Sequence, residues 1–141
     1  MKNKNEMVLE SWLKMTTIIN NEKITSDLPF NESMICRYLY QHKDEDVTAT
    51  DLCRSMRMQK SQMNRTIINM EDKGLIHRKR NEADRRQIFI KLNEDMVEVY
   101  NKQHEKVLQI VDMIFDEMGH DKMDDVIEIF DLVSKTALET L

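Results

Sequence analysis

Five polar side chains crowd one short stretch: Lys60, Ser61, Gln62, Asn64 and Arg65, within KSQMNR. Amide side chains such as those of Gln62 and Asn64 can read a base edge, and lysine, arginine and serine can hold phosphate oxygens. A second group, Asp84, Arg85 and Arg86, lies in NEADRRQIFIKLN. A narrow groove between two phosphate rows concentrates negative potential and draws a projecting arginine into it. On an extended chain Arg85 and Arg86 point to opposite sides. Arg86 is therefore expected to enter the minor groove, with Arg85 along the backbone or the hairpin surface. Asp84 is placed to orient an arginine through a charge-assisted pair. Both groups point to anion recognition, and double-stranded DNA is the polyanion whose edges such side chains read.

The bulk charge argues the other way until it is divided. The chain of 141 residues carries a net charge of −5. Between Asp51 and Lys91, however, eleven basic residues face five acidic ones, while the rest of the chain holds ten basic and twenty-one acidic residues. A basic middle between acidic ends is a localised electrostatic footprint.

Elements that could position these groups follow from apolar spacing. With 40% hydrophobic residues, two glycines and one proline, the composition suits long helices in one domain of ordinary size. It argues against sandwiches, barrels and phosphate-cradling glycine loops. Val8, Trp12, Met15 and Ile19 mark a first amphipathic helix, expected to end before Asp27-Leu28-Pro29. Asn31 is a candidate cap for the next helix, with Met34, Ile35, Tyr38 and Leu39 inward. Thr48 and Asp51 suggest a capping box at a short third helix, with Leu52 and Met56 on its buried side. A fourth helix runs from about Lys60 to Lys73 over Met63, Ile67 and Met70, and Gly74 can close it in a left-handed cap. Ile76 and the run HRKR, then Ile88, Ile90 and Leu92 in alternation, predict two short strands around a turn in which Asn81 best tolerates left-handed geometry. A long helix follows through Tyr100, His104, Val107, Val111, Ile114 and Met118. Gly119 breaks it, and Met123, Ile127, Phe130, Val133, Ala137 and Leu141 form the last stripe.

The expected fold class is mainly α with a small two-stranded β-wing. It is a winged helix-turn-helix at 31–92, with dimerisation helices at 1–30 and 93–141, in one compact domain. The end stripes are wide for so small a chain and call for a partner surface.

The wing sequence DRRQIFIKLN resembles the signature of the MarR family of bacterial transcriptional regulators: Asp, one residue, Arg, then five residues before Leu and Thr. Asp84, Arg86 and Leu92 match, and Asn93 stands where threonine is usual. MEDKGLIHR at Met70 to Arg78 and VTATDL at Val47 to Leu52 resemble the family's link to the wing and its short helix. The resemblance implies a homodimer on a pseudo-palindromic operator, acting as a repressor that a small-molecule effector releases. Two recognition helices one DNA turn apart, roughly 34 Å, require two protomers.

Trp12, Met15, Met34, Tyr38 and Met63 are candidate lining for an effector cleft, although each also suits an ordinary core. Cys36 and Cys53 have no paired spacing and read as buried free thiols. Set against the resemblance, the cysteine that the family's peroxide sensors carry at the start of the first helix has no counterpart here. The four histidines are scattered, so neither a metal nor another cofactor is expected. No nucleophile elbow, glycine-rich loop or carboxylate pair suggests an enzyme. No apolar run is long enough for a membrane span, and the start of the chain lacks a signal core, so a cytoplasmic protein is expected. The alternative class is a winged-helix adaptor whose hairpin grips an acidic protein.

Overall fold

A computed structural model describes Met1 and residues 3–140. Lys2 and Leu141, the last member of the C-terminal stripe, lie outside the described residues. The order is α1 (Lys4–Asn21), α2 (Phe30–Gln41), β1 (Val47–Thr48), α3 (Ala49–Met56), α4 (Lys60–Asp72), β2 (Ile76–Arg80), β3 (Ile88–Leu92), α5 (Glu94–Met118), a 3₁₀ turn (His120–Lys122) and α6 (Met123–Thr140). By backbone packing these residues form two units, one reaching His104 and the other starting at Glu105, so the division falls within α5.

The core of the first unit gathers Ile35, Cys36 and Leu39 from α2, Leu52 from α3, and Met63, Ile67 and Met70 from α4. Val47, Leu75, Ile76 and Ile90 close it from the sheet side. The spacing of these residues explains the helices: each places an apolar side chain every third or fourth residue on one face. Burial and then the nearby Glu32 carboxylate push the Cys36 thiol up to about 11, which keeps it protonated and unreactive at neutral pH. Cys53, expected to be buried, is only half-buried.

The sheet has three strands, not the two expected, in the order β1-β3-β2 and antiparallel throughout. Val47 pairs with Ile90 and Thr48 with Phe89. The extra strand is two residues long, too short for alternation to reveal. It exists because Val47 buries its side chain beside Ile90 while Thr48 opens α3.

Helix α1 ends at Asn21, before Asp27-Leu28-Pro29 as expected, because Lys23 turns left-handed (φ 52°). This lets the N–H of Ile24 donate to the Ile19 carbonyl at 3.1 Å and that of Lys23 to Asn20 at 3.4 Å, a closing motif normally built on glycine. Pro29, not Asn31, stands at the start of α2. Its fixed φ of −52° sets the entry, and Asn31 falls inside the helix.

In the second unit Phe115 is buried, and His120 Nε2 meets Asp116 Oδ1 at 2.7 Å. Gly119 sits at φ 104°, where a Cβ would stand 2.6 Å from Asp121 Oδ1, so the break there needs glycine.

Candidate nucleic-acid interface

Helix α3 is held at its start by a reciprocal cap. The Thr48 N–H donates to Asp51 Oδ2 (2.9 Å) and the Asp51 N–H to Thr48 Oγ1 (3.2 Å). The Thr48 N–H bond is also the main reason the Asp51 carboxyl lies below its ordinary value. At the other end Arg57 takes the left-handed conformation (φ 54°), and the Met58 N–H reaches back to Cys53 O at 3.2 Å. This tight turn delivers the chain into α4.

Helix α4 cannot rotate about its axis, because Met63, Ile67 and Met70 are buried in the core. Its opposite line therefore runs Ser61, Arg65, Ile68 and Asp72, at steps of four, three and four. Gln62 and Asn64 flank that line, and Lys60 opens the helix. All five residues expected to recognise DNA are exposed. Among the described residues, their side chains make no hydrogen bond or ion pair. Gln59 provides no side-chain cap, so the first amides of α4 have no side-chain acceptor there. An N-terminus of this kind suits an anion.

The far end of α4 is fixed by three devices. Gly74 adopts φ 77°, with Leu75 N–H donating to Met70 O and Gly74 N–H to Glu71 O, both at 3.0 Å. Lys73 Nζ lies 2.8 Å from Glu32 Oε1, and Glu32 is the buried charged residue of α2. Arg78 on β2 donates to Glu71 through Nη2 at 2.9 Å and through Nε at 3.2 Å. The side-chain bonds from Arg78 hold the Glu71 carboxyl below its ordinary range. Helix and wing are thereby joined, and Arg78 becomes a brace rather than a free cation.

At the wing tip Asp84 and Arg86 are paired, Arg86 Nε to Asp84 Oδ1 at 3.2 Å. Asp84 also accepts the Arg86 N–H at 3.2 Å, and Gln87 N–H donates to Asp84 O at 3.0 Å. Arg85 and Arg86 thus occupy the middle of a turn rather than an extended strand, so alternation does not decide which way each points. The turn hydrogen bond and the Asp84 side chain set Arg86 instead, and its own side chain remains 91% exposed. Asn81 does not take left-handed geometry; its side chain accepts from Ala83 N–H and donates to Gln87 Oε1, each at 2.9 Å. Arg80 donates to the Arg85 carbonyl. Among the described residues the side chains of Lys79 and Arg85 have no partner, and both are exposed.

The residues expected to line an effector cleft differ in exposure. Met63 is a correction: at 0% exposure it is part of the core under α4 and lines no cleft. Trp12 and Met15 are exposed on α1, Met34 is half-buried on α2, and Tyr38 stacks on His42 with ring centroids 4.0 Å apart. A cavity of about 250 Å³ lies where α1 leads into α2, lined by Ile19, Lys23, Asp27, Leu28 and Phe30 among others. None of the five expected residues lines it. Among the described residues no group of three His, Cys, Asp or Glu is arranged to hold a metal ion, and no helix is long and apolar enough to cross a membrane.

Sequence reasoning missed three features of this surface and its supports. The Lys73–Glu32 pair spans 41 residues, and nothing local marks it. Lys79 was visible in the basic run but was not singled out from it. Ile68 could have been found from the helix period, since it cannot share a face with its neighbour Ile67.

A short helix, a tight turn, a helix with a free polar face and a braced β-wing define a winged helix-turn-helix protein. A family model, Transcriptional regulator SarA/Rot, matches residues 16–103, and the chain belongs to that family. The fold is shared with AbsC, a MarR family transcriptional regulator from Streptomyces coelicolor. That match has a TM-score of 0.76 at 20% identity and covers 99% of this chain and 96% of the other. Streptococcus pneumoniae FabT in complex with DNA gives 0.76 at 18%, covering 97% and 96%. MepR, which regulates the Staphylococcus aureus efflux pump MepA, gives 0.73 at 13%, covering 96% and 99%. The MarR resemblance of the wing is thus met in the fold. No curated protein matches the chain at the sequence level.

Proposed function

We propose that the protein is a cytoplasmic, sequence-specific DNA-binding regulator that acts as a homodimer on a pseudo-palindromic operator and represses transcription. Residues 31–92 carry the reading head. Lys60, Ser61, Gln62, Asn64 and Arg65 enter the major groove with α4, and Asp84 presents Arg86 to the minor groove beside Arg85. Residues 1–30 and 93–141 join two protomers. A small-molecule effector acting near Trp12, Met15, Met34 and Tyr38 would change the spacing of the two α4 helices.

One observation carries this reading: among the described residues the polar face of α4 is free of internal partners, while the opposite face is locked in the core. Side chains that hydrogen-bond nothing within their own protein are available to base edges and phosphates. DNA complexes of the FabT and MepR relatives add support, since they share this fold.

Selection of bound duplexes from a random pool, at near-physiological salt, tests it. The expected result is an enriched palindrome whose affinity falls steeply with added salt through counterion release. No enrichment, with no salt-dependent binding to DNA, would overturn the reading and favour the protein-binding adaptor. The selection is repeated after unfolding and refolding, which strips any bound effector.

A further inference from the structure

Ile68 stands out on α4. It is 46% exposed, the single large apolar side chain on the outward line of that helix. Its neighbour Ile67 is 3% exposed and fixes the register, so Ile68 cannot turn inward. One turn earlier on the outward line is Arg65, and two turns earlier is Ser61, both exposed and without internal partners among the described residues. A scattered exposed isoleucine is ordinary on a protein surface. This one sits among the side chains that would enter the groove, where it would lose its water. On the major-groove floor the one apolar feature of a base pair is the thymine C5-methyl group. A β-branched side chain on a helix keeps essentially one χ1 rotamer, so the isoleucine Cγ2 methyl would be held in a fixed position.

We propose that Ile68 reads a thymine methyl group in the major groove and so determines specificity at one T·A pair in each half-site. The inference rests on the DNA-reading function above and adds the kind of base that the middle of α4 selects. Lys60, Ser61, Gln62, Asn64 and Arg65 contribute hydrogen bonds and charge. Ile68 contributes discrimination by shape and desolvation.

The test replaces each thymine of the selected operator, one at a time, with deoxyuridine, which lacks only the methyl group. Wild-type protein should bind one such duplex roughly fourfold more weakly, the worth of one buried methyl group. Ile68→Ala should bind that duplex and the unmodified operator equally well, while responding as wild type does to every other substitution. Ile68→Val, which keeps a branched apolar surface, should retain most of the wild-type sensitivity. The position is exposed, so both variants should keep the wild-type melting temperature. Identical deoxyuridine profiles for wild type and Ile68→Ala would overturn the contact while leaving DNA reading intact. A wild-type protein with no sequence preference would defeat the reading function and this contact together.

Discussion

The stretch from α2 to β3 and the two end helices draw on the same apolar residues and use them differently. Between residues 30 and 92, Phe30 and Ile68 are the large hydrophobics left exposed. Helix α1 alone exposes seven, among them Leu9, Trp12 and Leu13, and α6 exposes six, among them Ile129, Phe130 and Leu132. Neither end helix has a buried residue. A lobe that satisfies its own apolar faces can hold a reading head rigid within one protomer. Helices that leave theirs open require a second surface, because patches of this extent mark interaction sites. On the proposed reading, the middle recognises and the ends assemble.

The largest expected effect breaks the assembly half of that contrast. Leu13→Glu combined with Phe130→Glu should yield monomers in sedimentation velocity. Operator affinity should fall by a hundredfold or more as the second half-site is lost, while far-UV circular dichroism still shows a folded lobe. An intact dimer would move the interface elsewhere. Next, Leu52→Ala should lower the stability of the lobe by roughly 3 kcal/mol in denaturant unfolding, because Leu52 is fully enclosed and leaves a cavity. An equally severe truncation on α6, Leu138→Ala, should cost the protomer little.

Arg86→Ala should weaken operator binding by about 2 kcal/mol, or roughly thirtyfold, and reduce the salt slope by about one, without changing the dimer. Fluorescence anisotropy at several salt concentrations measures both. Lys73→Ala should cost about 1 kcal/mol. It strands the buried Glu32, but the lysine side chain is 46% exposed and the pair is partly screened. The smallest effect concerns the cap of α3. Asp51 titrates below its ordinary 3.8 when folded. Its contribution is complete above that pH and is lost as the pH falls through the lower, folded value. Asp51→Asn should therefore flatten the acid limb of a stability-pH profile, and Thr48→Ala should cost about 1 kcal/mol at neutral pH.

What could be read from the sequence follows how local each cause is. The Thr48–Asp51 box, the Gly74 closure and the long α5 each depend on residues a few positions apart, and spacing shows them. The strand Val47–Thr48 depends on Ile90 and Phe89, more than forty residues away in the chain, and two residues carry no period. Lys23 and Arg57 turn left-handed where glycine would be expected, because hydrogen bonds to Ile19 and Cys53 follow from it. Arg85 and Arg86 looked like a strand because apolar alternation begins next to them, yet Asp84 gathers them into a turn. Met63 fitted a cleft by type, and only the packing of α4 against α2 and α3 shows it to be core. The exposed polar face of α4 was legible because it rests on polar residue types along one helix. The brace behind it, from Lys73 to Glu32 and Arg78 to Glu71, was not, since side chains meeting across elements leave no pattern in one chain.

The central claim is that a self-contained reading head is carried by ends made for pairing. The most direct measurement is the mass of the complex formed on the selected duplex, by sedimentation equilibrium or native mass spectrometry, with matched duplexes carrying one or two half-sites. Two protomers on the full palindrome, and far weaker binding to the single half-site, are predicted. One protomer bound with equal affinity to both duplexes would contradict it.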